Sequence, residues 1–190
     1  MPRYAAFLRA INVGGHVVKM DHLRRLFESL DLTPVETFIA SGNVVFSSRS
    51  RDSGALERRI ERMLRDALGY EVATFLRAID ELDAIAAREP FAAPVAAKAV
   101  ANYVAFLRER PDASAKKRVM ALRSENDVFH LEGRELHVAS GVRFSESTFT
   151  GADLERALGA PATIRGVNTV RKMASKFSGA ASTPAKTRRK

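Results

Sequence analysis

Apolar positions along the chain fall into short blocks that switch between strand-length runs and helical faces. Tyr4-Ala5-Ala6-Phe7-Leu8 is a continuous apolar run of strand length that ends in the loop Asn12-Val13-Gly14-Gly15-His16. Leu23, Leu26, Phe27 and Leu30 then recur at the i, i+3, i+4, i+7 spacing of one helix face. Asp21 is predicted as the N-cap of that helix, and Pro34 ends it near Asp31 by excluding helical angles from the residue before it. Residues 35–39 and 44–46 read as two strands joined by the turn signal Ser41-Gly42-Asn43. A second helix sets Leu56, Ile60, Met63, Leu64 and Ala67 on one face and Arg58, Arg59, Arg62 and Arg65 on the other, with Gly69 as the residue that closes it. Residues 70–76 are predicted as a fourth strand, which gives the order β-α-β-β-α-β.

The pattern then restarts. A linking helix turns Ile79, Leu82 and Ile85 inward, and Pro90 and Pro94 are expected to bracket a loop. Tyr103-Val104-Ala105-Phe106-Leu107-Arg108 nearly repeats Tyr4-Ala5-Ala6-Phe7-Leu8-Arg9. A helix is predicted from about Asp112 to Leu122, followed by a hairpin around Gly133 in which His130 and His137 face each other. A short helix carrying Leu154 and Leu158 ends at Gly159, and a strand follows at 162–164. The last helix has Val167, Val170, Ala174 and Phe177 on one face, with Asn168 and Thr169 as candidate caps. The fold class predicted is α+β: a tandem duplication of a β-α-β-β-α-β (ferredoxin-like) unit with an extra C-terminal helix. The expected division is a first unit at 1–78, a linking helix with the second unit and terminal helix at 79–177, and a basic disordered tail at 178–190. The pattern leaves open whether the two sheets join at their edges or pack face to face.

Composition narrows the function classes. The chain has 190 residues, of which 46% are hydrophobic, enough for a core without staples. It has no cysteine, which excludes disulfides, iron–sulfur clusters, thiol chemistry and cysteine-ligated zinc and fits a reducing compartment. No apolar run approaches the ~20 residues a membrane helix needs, and Met1 to Tyr4 leads into a strand-like segment without the features of a signal peptide. A cytoplasmic protein with no membrane partner is expected. The net charge is +9, of which four charges sit on Lys186, Arg188, Arg189 and Lys190 in the tail. The remainder is mildly basic and leans toward anionic partners.

Three segments carry a resemblance: residues 7–15 (Phe7 to Gly15), Lys19-Met20 before the leucine helix, and Ser41-Gly42-Asn43-Val44-Val45-Phe46. On these the chain resembles the bacterial domain-of-unknown-function family 1697, with a likeness that runs to Phe177. The resemblance implies a duplicated ferredoxin-like fold and implies no activity. Where members show Gly-Ile-Gly-Arg-Ser-Lys, this chain has Gly141-Val142-Arg143-Phe144-Ser145-Glu146. Where they show Arg-Asn-Trp-Asn-Thr-Val, it has Arg165-Gly166-Val167-Asn168-Thr169-Val170. A role resting on that lysine or tryptophan is therefore not carried over.

The candidate ligand site joins two loops of the first unit: Arg9, Asn12, Gly14, Gly15 and Lys19 with Ser41, Gly42 and Asn43. A strand end that leads into a helix start presents free N–H groups to an anion, glycines admit close approach of a ligand to the backbone, and Arg9 and Lys19 add charge. The competing reading is a pair of glycine turns. The spacing matches neither a phosphate loop nor a nucleophile elbow. His16, His22, His130 and His137 are not spaced as metal ligands, so no metal is expected, and no cofactor fingerprint is present. The acidic group Asp80, Glu81 and Asp83 reads as a solvated helix face or cap.

Three function classes follow. The first is a binding module for a phosphate- or carboxylate-bearing small molecule. The second is weak, non-specific nucleic-acid contact through the basic tail; recognition by base stacking is disfavoured because residues 42–48 lack the aromatic pattern of RNA-recognition strands. The third, an enzyme, has no visible catalytic constellation. Oligomeric state is not legible.

Overall fold

The computed structural model describes residues 1–178. The basic tail, on which the nucleic-acid expectation rests, lies outside the described residues except for Ser178. In the first unit β1 (Arg3–Leu8), α1 (Met20–Glu28), β2 (Val35–Phe38), β3 (Asn43–Ser47), α2 (Ser53–Leu68) and β4 (Thr74–Ala78) follow in order. α3 (Ile79–Ala87) and the short α4 (Ala93–Lys98) lead into the second unit. There β5 (Ala101–Leu107), α5 (Ala113–Met120), β6 (Asp127–Glu132), β7 (Glu135–Ser140), α6 (Gly151–Leu158), β8 (Ala162–Gly166) and α7 (Val167–Phe177) follow. The result is a mixed α+β architecture with two four-stranded antiparallel sheets, ordered β2-β3-β1-β4 and β6-β7-β5-β8. Among the described residues no helix is long and apolar enough to cross a membrane.

The sheets pack face to face. Tyr4, Ala6 and Leu8 point to one side of β1, where they join Leu23 and Phe27 of α1 and Ile60 and Leu64 of α2. Ala5 and Phe7 point to the other side and meet Val104 and Phe106 of β5. Side chains alternate along a strand, so a strand buried on both faces reads as a continuous apolar run. That is why β1 and β5 look alike in sequence. The rings of Phe7 and Phe106 stack at 4.0 Å between centroids, 8° from parallel. A third core lies beneath α5 and α6, with Leu107, Val119, Leu136 and Leu154 at its centre.

α3 continues β4 without a loop, and α7 continues β8 in the same way. Both helices enter the central core, through Ile79, Leu82 and Ile85 from α3 and Val170, Met173 and Phe177 from α7. α7 is therefore the second unit's counterpart of α3 and no bare appendage.

Four local expectations need correction. α1 is capped at Lys19, two residues before Asp21, because the Asn12 Oδ1 holds the Val18 N–H at 2.7 Å and sets the entry earlier. β4 begins at Thr74 instead of Tyr70, since the Tyr70 hydroxyl is drawn off to donate to the Ile11 carbonyl at 2.8 Å. The 90–94 segment is not all loop: Pro94 sits in the first turn of α4, where its missing N–H is not needed. Asn168 and Thr169 lie inside the first turn of α7, whose N-cap is Gly166 with no side-chain bond.

Candidate functional site

The two loops of the first unit do meet. Asn12 closes them: its Nδ2 donates to the Ala40 carbonyl at 3.0 Å while its Oδ1 accepts from Val18. Gly42 has φ +74°, and a Cβ there would stand 2.6 Å from Ile11 Cγ2 and 3.2 Å from Leu8 Cβ. Only glycine allows that turn to lie against β1, where the Leu8 N–H donates to the Gly42 carbonyl at 2.9 Å. Asn43 is fully buried, and its Nδ2 donates to the Phe38 carbonyl at 3.1 Å and to Ser41 Oγ at 2.8 Å. Asn43 and Ser41 thus brace the 41–43 turn against β1, and Asn12 ties the neighbouring Ala40 to the start of α1.

Gly14, Gly15 and Lys19 form the outer rim. Gly14 and Gly15 have φ +69° and +88°, and no atom lies within 4 Å of where their Cβ would be. Both are exposed, as is Lys19 at the uncapped start of α1. The His16 ring stacks on Tyr70 at 3.8 Å and braces the loop. Two residues here carry left-handed backbone without being glycine, Ala10 at φ +54° and Ile39 at φ +51°. For a β-branched residue such as Ile39 this is an outlier, and such strain concentrates at binding and switch sites. Val13, Val17 and Ile39 are exposed around the same rim.

Arg9 does not face that rim. Its Nε and Nη2 donate to both carboxylate oxygens of Glu155 on α6, at 2.6 and 2.7 Å, which pushes the guanidinium pKa upward. Glu155 also accepts from the first N–H of β8, at Ala162, at 2.9 Å. Arg108, at the matching end of β5, does the same in reverse. It pairs with Glu61 on α2, which accepts from the first N–H of β4, at Thr74, at 2.9 Å. Arg108 also lies 3.5 Å from Glu57, whose carboxyl pKa is raised by burial.

Sequence reasoning left Arg165 out of the site. From β8 its guanidinium crosses into the first unit, where Nε donates to Asn43 Oδ1 at 2.7 Å and Nη2 to the carbonyls of Leu8 and Ser41 at 2.8 and 2.9 Å. It lies over the Phe7 ring, 5.8 Å from the centroid. Burial pushes its pKa down to about 10. Arg77 on β4 is the counterpart: it donates to Glu135 at 2.6 Å and to the carbonyls of Leu107 and Arg134 at 2.8 and 3.0 Å, and lies over Phe106. The available signal was the six-residue echo. Its Phe, Leu and Arg are the residues that stack, accept and bridge between the units.

The sheet faces turned away from α1, α2, α5 and α6 are buried against each other. Phe7, Phe75 and Phe106 lie there, out of reach of a nucleic acid base.

The sequence model of one family, described as a protein of unknown function (DUF1697), matches residues 1–137. The match ends inside β7, before both altered segments. No curated protein matches the chain. Among solved structures, the chain is similar to the conserved bacterial protein SP0830 from Streptococcus pneumoniae, with 24% identity over 92% of this chain and 97% of that one and a TM-score of 0.70. At that identity the likeness speaks for the fold alone.

Proposed function

The chain belongs to the DUF1697 family of proteins of unknown function, and on that footing we propose that it is a binding module for a small anionic ligand, held by the glycine loop of the first unit. The observation that carries this reading is the Gly14–Gly15 pair, left-handed and facing open space beside the uncapped first turn of α1. Backbone N–H groups at such a turn, together with the positive end of the helix dipole, favour a phosphate or carboxylate, and exposed Lys19 adds a full charge. Asn12, Ser41, Gly42 and Asn43 hold the platform under the loop. Arg9 is engaged by Glu155 and is assigned to the inter-unit contact instead of the ligand.

The strand orders β4-β1-β3-β2 and β8-β5-β7-β6 support reading each unit as ferredoxin-like and the pair as a tandem duplication. The matched arginines at 77 and 165, and at 9 and 108, support it further.

The test is thermal unfolding with inorganic phosphate, nucleotides and phosphorylated metabolites. A saturable rise in Tm that Lys19→Ala abolishes, with the ligand-free Tm unchanged, is the expected result. A rise that Lys19→Ala leaves intact would remove the site from this loop, and no rise with any anion would remove the function.

A further inference from the structure

A cavity of about 260 Å³ that shares no lining residue with the glycine loop lies between the end of α3, α4 and the start of α7. Its walls include His137, Arg88, Arg171, Asn102, Asn168 and Phe91. His137 is the informative group. Its relative exposure is 3%, it sits on the inward face of β7 opposite Val104, and no hydrogen-bond partner for its imidazole lies among the described residues. Its ring nitrogens are not sealed in protein but reach the cavity, so their donor and acceptor are offered to whatever occupies it. The matching position in the first unit, opposite Ala5 on β3, is Val45, which is packed in the central core.

The cavity exists because the two units are closed differently. Counting from Arg77 and Arg165, the place filled by Phe177 at the end of α7 is held on α3's side by Glu89, beyond the end of the helix. Phe177 is buried and meets Phe38 edge-on, whereas Glu89 is exposed and leaves His137 open to the cavity. The start of α3 is closed by Glu81, which accepts from the Ala78 N–H at 2.8 Å. The start of α7 has no such side chain, and its first residues, Val167 and Asn168, form part of the wall.

We propose that this cavity is a second ligand site, separate from the glycine loop, for a small carboxylate carried on an aromatic or branched apolar body. Arg171 is held by one bond, Nε to the Ala86 carbonyl at 3.2 Å, which leaves its terminal NH2 groups for a carboxylate. Arg88 adds positive charge that its pair with Glu132 offsets in part, and Glu89 also lines the cavity, so Arg171 is the carboxylate's main anchor. Phe91, Ile85 and Val167 supply apolar wall for the body of the ligand. Burial, followed by the charges of His130 and Arg88, holds the His137 pKa at about 4, so the ring is neutral at ordinary pH. A neutral imidazole offers one donor and one acceptor, and its donor completes the carboxylate's shell.

Calorimetric titration of the full chain with benzoate tests this, with benzamide as the uncharged counterpart. Benzoate is expected to bind saturably in the millimolar range or tighter, and benzamide about tenfold more weakly. His137→Val, which copies Val45, and Arg171→Gln are each expected to weaken benzoate binding about tenfold or more. Lys19→Ala is expected to leave it unchanged, which separates this site from the glycine loop. Absence of saturable benzoate binding, equal binding of benzamide, or unaltered binding in both variants would overturn the proposal. If His137→Val does not fold, Arg171→Gln decides alone, because Arg171 is exposed and outside the core.

Discussion

Arg77 in the first unit and Arg165 in the second hold matching places on their edge strands, and each crosses to the other unit to bind the carbonyl that ends its central strand. Their surroundings differ. Arg77 meets the carboxylate of Glu135, while Arg165 meets only the carboxamide of Asn43, hydroxyl and carbonyl oxygens. No carboxylate pairs with Arg165 among the described residues. A buried ion pair and a buried cation solvated by dipoles thus serve the same joint. Solvation by dipoles holds the cation's geometry, but burial still draws its pKa down to about 10. The loops next to these brackets differ too. The first unit carries eleven residues of connection between β1 and α1, numbered 9–19, with Gly14 and Gly15; the second carries five, numbered 108–112, with no glycine. The unit whose turn is held by the cation with only neutral acceptors is the one with the elaborated loop.

The largest break in this near-symmetry is expected at the arginines. Arg77→Ala leaves Glu135 without its partner and takes a donor from the Leu107 carbonyl, and should cost about 3–5 kcal/mol. Arg165→Ala strands only neutral acceptors and should cost less, about 2–3 kcal/mol. Urea unfolding of both variants checks the order, and a costlier Arg165→Ala would show that the two brackets are not distinguished by the carboxylate.

The turns come next. Gly42→Ala must tolerate both a left-handed backbone, at about 1–2 kcal/mol, and a Cβ 2.6 Å from Ile11 Cγ2. Gly133→Ala, in the corresponding turn of the second unit, meets only the mobile end of Glu135 at 3.4 Å and should cost about 1 kcal/mol. Equal midpoints in denaturant would contradict the close approach at Gly42.

A smaller difference is expected between the two bridging arginines. Arg108→Ala withdraws a cation from buried Glu57 as well as from Glu61 and should cost roughly 1–2 kcal/mol. Arg9→Ala opens a partly exposed pair with Glu155 and should cost under about 1 kcal/mol. Thermal melts at low and high salt measure both.

The gentlest probe is pH. His137 has a folded pKa of about 4 against an ordinary 6.5, so the folded state binds fewer protons than the unfolded chain between those values. Its contribution is fully present above pH 6.5 and is lost as pH falls toward 4. His130 and Arg88 face it and strengthen the effect. His137→Val should flatten the fall in Tm over that window, and an unchanged profile would show that another group governs it.

Most of the elements were legible because each has a local cause. Periodic leucines define α1 and α2, left-handed Gly69 and Gly159 close their helices, and doubly buried strands read as unbroken apolar runs. The boundaries that failed had distant causes: Asn12 reaching Val18 resets the start of α1, and Tyr70 reaching Ile11 delays β4. The candidate site was half legible. Spacing brought out Asn12, Gly14, Gly15, Lys19 and the Ser41-Gly42-Asn43 turn, because glycine and asparagine at turns carry a local conformational signature. The pairing of Arg9 with Glu155 was not legible, because an arginine beside a glycine loop looks the same in sequence whether it faces a ligand or a glutamate 146 positions away.

By itself the sequence determined that the chain has two like units, where their strands and helices lie, and that only the first keeps a glycine loop. These follow from the period of apolar residues and the backbone freedom of glycine, both of which act within a few residues. Only the tertiary structure decided that the sheets meet face to face, that Phe7 stacks on Phe106, that Arg77 and Arg165 each reach across the joint, and that the His137 imidazole makes no hydrogen bond among the described residues. Those outcomes depend on which buried polar groups meet across the joint, and hydrogen bonds between residues far apart in the chain leave no period to read.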